Sequence, residues 1–208
     1  MLADEIRGVV EALSTSRIDD SDLDAAIELA RQLGRRLQGP PRVRWYETLP
    51  LDTEEQLGLS GSAYQEQSPL RGAHNPIAPP LVVEEATDGE REVLVGRARL
   101  GPAYEGPPHG VHGGWVAAMF DDILGATLRF LDDVGVTGRL TVGFRHITPI
   151  DEDLDLRAWI ERSQGRRTVA KATCHAGDTL TAEAEALFIQ VDFEEVQTYM
   201  AERRQGRS

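Results

Sequence analysis

A chain of 208 residues with 40% apolar side chains and a formal charge of −13 suits one globular domain with an extension, or two small ones. That charge disfavours nucleic acid and anionic membranes as partners, and the single cysteine, Cys174, leaves no internal disulfide and no cysteine metal cluster. No run approaches the roughly eighteen apolar residues of a spanning helix, and the start, MLADEIRGVVEAL, lacks the basic-then-apolar pattern of a secretory leader, so a soluble cytoplasmic protein is expected.

Residues 1–38 read as two helices. Leu2, Ile6, Val9, Val10 and Leu13 recur at helical spacing, and a second helix begins within DDSDLDAAIELARQLGRRL, capped by Asp20 or Ser21 and basic in its last turn. QGPPRVRW breaks it. Residues 39–80 read as an irregular connection rich in Pro, Gly, Ser and Gln, with HNPIAPPL as its stiffest part. LVVEEA and REVLVGRARL then read as strands around an Asp88-Gly89 turn.

From Gly114 to about Leu131 the pattern is apolar nearly all round, as in a helix placed centrally in a fold. Asp121 and Asp122 interrupt it. A buried carboxylate costs several kcal/mol unless it is paired or protonated, so at least one of the two needs a partner or a task.

Four strand-like runs follow: GRLTVGFRHIT, LDLRAWIER, RTVAKATCHA and LTAEAEALFIQV. In the last, Ala182, Ala184, Ala186 and Phe188 alternate with Glu183, Glu185 and Leu187, a half-buried antiparallel pattern. SQGRR and AGDT are short enough for hairpins, and Cys174 reads as a small core residue on a strand. Two strands, one long apolar helix and a four-stranded meander give an α+β fold, a curved antiparallel sheet wrapped round one central helix.

These features resemble hotdog-fold acyl-CoA thioesterases of the PaaI-like, THEM4-like type. EGPPHGVHGG leading into the helix, HGG followed by Asp121, VTGRLTVGFRHITPI and SQGRRT carry the likeness. It covers about residues 75–192, leaving 1–74 as a helical extension with linker and 193–208 as a C-terminal tail. The resemblance implies an enzyme that hydrolyses an acyl-CoA thioester to free acid and CoA, without a cofactor. It makes Gly113 the N–H donor to the thioester carbonyl, Asp121, nine residues after His112, the carboxylate, and Thr137, sixteen further on, its assistant. His112 orients the loop or acts as an acid. Gly114 and Asn75 join the substrate-binding set. The Asn or Gln that the family often has before the histidine is missing, with Gly106 six residues upstream.

Elementary chemistry agrees with that assignment. A glycine at a helix N-terminus offers an unpaired N–H and the positive end of the helix dipole, a suitable oxyanion site. A carboxylate can then serve as nucleophile or as base for water. Gly113 and Asp121 lie eight residues apart, about 12 Å along one helix, so one carbonyl carbon cannot reach both. A working site therefore needs Gly113 and Asp121 from different subunits, and a homodimer or dimer of dimers is expected.

Other residues are less decisive. Asp122 is expected as a structural acceptor. Thr137 shares strict alternation with Arg139, Thr141 and Arg145, opposite Leu140, Val142 and Phe144, unless a bend at GVTG releases it. Arg145, Arg166 and Arg167 are the cations best suited to the CoA phosphates in so acidic a chain. His109 and His112 lack further ligands nearby, so no metal site is expected. A hotdog hydratase would need Asp-x-Asn-Pro-x-His, and AHNPIA has Ala73 and Ala78 at the acid and histidine positions. A non-catalytic acyl-CoA-binding module is the alternative from another class.

Overall fold

The chain starts with two amphipathic helices, α1 (Leu2–Thr15) and α2 (Asp20–Arg36). The cap of α2 falls one residue earlier than expected, on Asp19, whose extended backbone turns the chain into the helix. This computed structural model describes residues 1–40, 66, 68–131, 135–191 and 198. Most of the expected linker and nearly all of the expected C-terminal tail lie outside the described residues. None of the described helices is long and apolar enough to cross a membrane.

The period then changes from helix to strand. β1 (Val82–Asp88) and β2 (Arg91–Arg99) pair antiparallel, with Asp88 opposite Arg91. The two-residue loop is therefore Gly89-Glu90, one residue beyond the expected Asp88-Gly89, because Gly89 takes the left-handed φ of 64° that this loop needs. After a short 3-10 turn at Pro102–Tyr104 comes the central helix α3 (Gly113–Ala126), extended by a 3-10 turn at Thr127–Leu131. β3 (Gly135–Phe144), β4 (Asp153–Gln164), β5 (Arg167–Ala176) and β6 (Thr179–Gln190) complete one six-stranded antiparallel sheet.

The strand order is β1-β2-β4-β5-β6-β3. The expected four-strand meander is thus corrected: β4, β5 and β6 run as a meander, whereas β3 pairs with β6 and forms an edge. Loop chemistry explains the difference. β4–β5 and β5–β6 turn on two-residue loops at Gly165 and Gly177, both at positive φ, but β3 and β4 are joined by residues 145–152, which include Pro149 and are too long for a tight hairpin. β4 is left to pair with β2.

The sheet curves over α3, whose Val116, Met119, Phe120, Ile123 and Leu124 are buried against Leu94, Leu154, Leu156 and Phe188. Alanines at 158, 170, 172, 182, 184 and 186 floor the middle of the sheet, with Cys174 buried among them. Small side chains let the helix approach closely. At Gly96 an added Cβ would lie 2.8 Å from Ile123 Cδ1, so that contact leaves no room for a side chain. α3 is not enclosed on every side: Trp115, Ala117 and Ala118 are half-buried and Asp121 is exposed.

Candidate active site

The N-terminus of α3 is set by the loop before it. Glu105 and Gly110 make isolated bridges to Val111 and Pro149, and His109 sits at φ 59° with its N–H donating to Glu105 Oε1 at 2.6 Å. Gly106 admits this fold because a Cβ there would lie 2.6 Å from His112 Cα. His112 caps the helix. Its Nδ1 accepts from the Gly114 N–H at 3.0 Å, and its own N–H donates to the Tyr104 carbonyl at 2.9 Å. A ring accepting at Nδ1 carries its remaining proton on Nε2.

Two sequence expectations separate here. The Gly114 amide is committed to His112, so Gly114 has no N–H to spare for a substrate. Gly113 is the first helical residue, and its N–H makes no hydrogen bond among the described residues, as geometry dictates for that position. A cavity of about 520 Å³ opens beside it, lined by Val111, Val116, Phe144, His146 and Ile147. Phe144, 55% exposed, shields its flank: a Cβ on Gly113 would sit 3.1 Å from Phe144 Cζ. Thr148 also lines this cavity, and its buried Oγ1 has no partner among the described residues.

Asp121 lies two turns further along α3. The Thr137 hydroxyl donates to its Oδ1 at 2.9 Å. This contact depends on a bulge. Thr137 pairs with Phe188 and Arg139 with Leu187, so Gly138 is an extra residue in β3. The slip moves Thr137 off the face of Arg139 and Thr141 and onto the helix side, with Leu140 and Val142. The bend at GVTG that would release Thr137 from strict alternation is present, and it falls on Gly138.

Asp122 has a different occupation. It forms an ion pair with Arg71, the two side chains being 7 and 5% exposed, and Arg71 Nη2 also donates to the Asp122 carbonyl at 3.1 Å. Burial pushes the Asp122 carboxyl above the usual carboxylate range, and the Arg71 guanidinium opposes that shift. Arg71 is delivered by a turn in which Ser68 Oγ accepts from the Leu70 and Arg71 N–H groups. Leu70 packs on the core and its carbonyl accepts from Leu81 N–H at 2.8 Å.

The same stretch carries Asn75. Its Oδ1 accepts from Ile77 N–H at 3.2 Å and its carbonyl from Arg7 Nη1 of α1 at 2.8 Å, so Asn75 serves a local turn under α1. Tyr104 ties this region to α3. Its hydroxyl donates to the Ile77 carbonyl at 3.3 Å and its ring meets Trp115 edge-on at 5.0 Å. Arg71, Tyr104 and Thr148 were not singled out by the sequence, and Phe144 was placed only by strand alternation. Their roles arise from contacts between distant segments, which no local pattern signals.

The three arginines do not form one cluster within the chain. Arg145 pairs with Glu183, and its N–H donates to the Thr181 carbonyl at 2.8 Å, at one end of β6. The Arg166 guanidinium donates to the Gln190 carbonyl at 3.1 Å, at the other end. The nine residue steps from Thr181 to Gln190 span roughly 30 Å of strand. Arg167 makes no ion pair among the described residues.

Gly113 and Asp121 stand about 12 Å apart along α3, so within a single chain the first amide of the helix and the carboxylate held by Thr137 cannot meet on one carbonyl. Residues 109–183 match the Thioesterase superfamily. Acyl-coenzyme A thioesterase THEM4 of Xenopus laevis is 34% identical over 93 residues, 44% of this chain and 42% of that protein. Acyl-coenzyme A thioesterase THEM5 of Homo sapiens is 27% identical over 97 residues, 46% of this chain and 39% of that protein. The chain thus aligns with less than half the length of these two curated relatives. A crystal structure of a thioesterase superfamily protein, 28% identical, superposes over 90% of this chain and 93% of that one with a TM-score of 0.73. Residues 109–183 are a thioesterase-superfamily segment, and the sheet wrapped round α3 has the hotdog fold.

Proposed function

We propose that this chain hydrolyses an acyl-CoA thioester to a free carboxylic acid and CoA, at a site made of Gly113 from one protomer and Asp121 with Thr137 from its partner. The bond from Thr137 to Asp121 carries the reading. A surface carboxylate held by a hydroxyl that a strand bulge has turned inward is oriented for use. The relatives' names supply the substrate class.

The chemistry follows from the parts. The substrate carbonyl oxygen accepts from the Gly113 N–H, where the α3 dipole favours the developing negative charge. The partner's carboxylate, with Oδ1 held by Thr137, takes a proton from water as the oxygen adds to the carbonyl carbon, or attacks that carbon itself to give an anhydride that water then cleaves to the free acid and the restored carboxylate. On either route the C–S bond breaks and CoA leaves as the thiolate, which is protonated in solution. His112 is a positioning residue, since its ring holds the first turn of α3 in place.

A two-fold partner is supported by what the chain leaves uncovered. β3 is a ten-residue edge strand, and Val136 and Phe144 on it are 54 and 55% exposed. Trp115 and Ala118 lie on the uncovered side of α3 beside Asp121. Antiparallel pairing of β3 with its copy removes the open edge and brings the Gly113 end of one α3 to the Asp121 end of the other. Arg145 of one protomer then approaches Arg166 and Arg167 of the second, which gathers cations for the CoA phosphates that one chain holds apart.

In this reading residues 75–192 are the catalytic unit, and the turn from Ser68 to His74 belongs with them because Leu70 and Arg71 pack into it. Residues upstream are an accessory extension. A cytoplasmic homo-oligomer of PaaI-like type completes the proposal, in keeping with a buried free thiol at Cys174. Thiol release from a panel of short, medium, long and aromatic acyl-CoAs tests it. Turnover of at least one, lost in Asp121→Asn, supports the reading. Binding of acyl-CoA without turnover would make the protein a non-catalytic module.

A further inference from the structure

α2 contributes nothing to the core. None of its residues is buried, and only Leu33 is half-covered. Yet its pattern is that of a packed helix. Leu23, Ala26, Ile27, Ala30, Leu33 and, just past its end, Leu37 fall on one stripe at helical spacing. In proteins a helix such as this seventeen-residue one draws most of its stability from packing its apolar stripe. Something outside the described chain is needed to cover it.

The charges identify the cover. The first part of α2 carries Asp20, Asp22 and Asp24, and its second part Arg31, Arg35 and Arg36. This gradient also suits the dipole of a single helix, but the dipole does not account for the apolar stripe between the charges. We propose that α2 docks antiparallel on α2 of a second copy of this chain, about a two-fold axis beside Ala30. One register satisfies both features. With Ala30 facing its own copy, Leu23 meets Leu37 and Ala26 meets Leu33, and the small central alanines let the backbones approach. On one flank Asp22 faces Arg36, and Asp24 and Arg35 extend the acidic and basic ends that this brings together. A parallel arrangement would stack the acidic ends on each other and the basic ends likewise. Arg35 now pairs with Glu28 of its own helix at 2.9 Å, both side chains being at least half exposed. Such a surface pair is worth little and gives way readily. The inference does not depend on the thioesterase reading, because no residue of the candidate active site enters it.

Cysteine cross-linking of the full-length protein tests this, since the sole native thiol, Cys174, is buried. Ala30→Cys lies against its own copy and should oxidise to a covalent dimer. The rate should exceed that of Glu90→Cys, in an exposed hairpin loop, by at least about a hundredfold, because docked helices raise the effective concentration to roughly millimolar against micromolar free chains. Leu23→Cys alone should not cross-link at that rate, whereas Leu23→Cys with Leu37→Cys should. Asp22→Arg with Asp24→Arg should slow the Ala30→Cys reaction to the control rate, and adding Arg35→Glu with Arg36→Glu should restore it. That rescue cannot come from a sturdier single helix, since the fourfold variant opposes the helix dipole at both ends. An Ala30→Cys rate no higher than the control, fast cross-linking of Leu23→Cys alone, or failure of the charge swap to rescue would each overturn the proposal. These are the outcomes expected if α2 lies on the sheet of a neighbour, pairs in parallel, or meets a membrane or another protein.

Discussion

The Thr137 hydroxyl reaches Asp121 Oδ1 at 2.9 Å because Gly138 is an extra residue in β3. Without it, period-2 alternation would turn Thr137 to the outer face. A hydrogen bond to a charged group is worth about 1.5–3 kcal/mol, which is roughly ten- to a hundredfold in rate. Thr137→Val should lower kcat by that factor and Thr137→Ser should retain most of it. Deleting Gly138 should cost at least as much as Thr137→Val, with the circular dichroism of the fold kept.

The adjacent aspartates should separate cleanly. Asp121 is exposed, so Asp121→Asn should leave Tm nearly unchanged and lower kcat by at least about a hundredfold, the usual size of acid–base catalysis. Asp122→Asn should act mainly on stability. Parallel thermal melts and thiol-release assays on both variants check this, and the opposite assignment would show that the register of α3 has been misread.

Arg71 and Asp122 form a buried pair, and breaking it from one side leaves a charge without compensation. Arg71→Met should destabilise the protein by about 3–5 kcal/mol, whereas Arg71→Met with Asp122→Leu should recover most of the loss. Urea denaturation of the two variants measures the difference. A double variant no better than the single would mean that the turn from Ser68, and not the charge pair, holds that side of α3.

The Arg167 side chain makes no ion pair among the described residues. Arg167→Glu should raise KM for acyl-CoA and leave kcat little changed, since a phosphate contact is equal in ground and transition states. KM of the unaltered protein should rise with salt. A thioester of N-acetylcysteamine, which lacks the nucleotide, should respond to neither change. Equal losses on both substrates would assign Arg167 to the fold.

The parts of this fold that the sequence made legible are those with a local period. The apolar run from Gly114 announces the central helix but not its uncovered side, and the alternation Ala182, Ala184, Ala186, Phe188 announces a strand and its buried face. HGG with an aspartate nine residues later marks the helix start that the fold contains. What escaped depends on distance. Arg71 meets Asp122 across 51 residues, so the partner of the one buried carboxylate could not be found locally. β3 lies beside β6 because its link to β4 is not a tight hairpin, and pairing order has no local signature. Thr137 is the intermediate case: its parity placed it outward, and only a bulge, suggested by Gly138 but not required by it, turned it in. Arg145, Arg166 and Arg167 looked like one patch in sequence terms and stand at opposite ends of β6.

The central claim is that Gly113 and Asp121 act from different protomers, and subunit mixing tests it most directly. Gly113→Pro removes the N–H at a first helical position that tolerates proline. Gly113→Ala keeps the N–H and controls for crowding against the half-exposed Phe144. Pools of Gly113→Pro and Asp121→Asn protein, each inactive alone, should regain roughly a quarter of the wild-type sites when equal amounts exchange subunits at random, since each mixed dimer holds one intact site. Recovery of that order, appearing as exchange proceeds, is the result the account predicts. No recovery after exchange has been demonstrated by mass would contradict it.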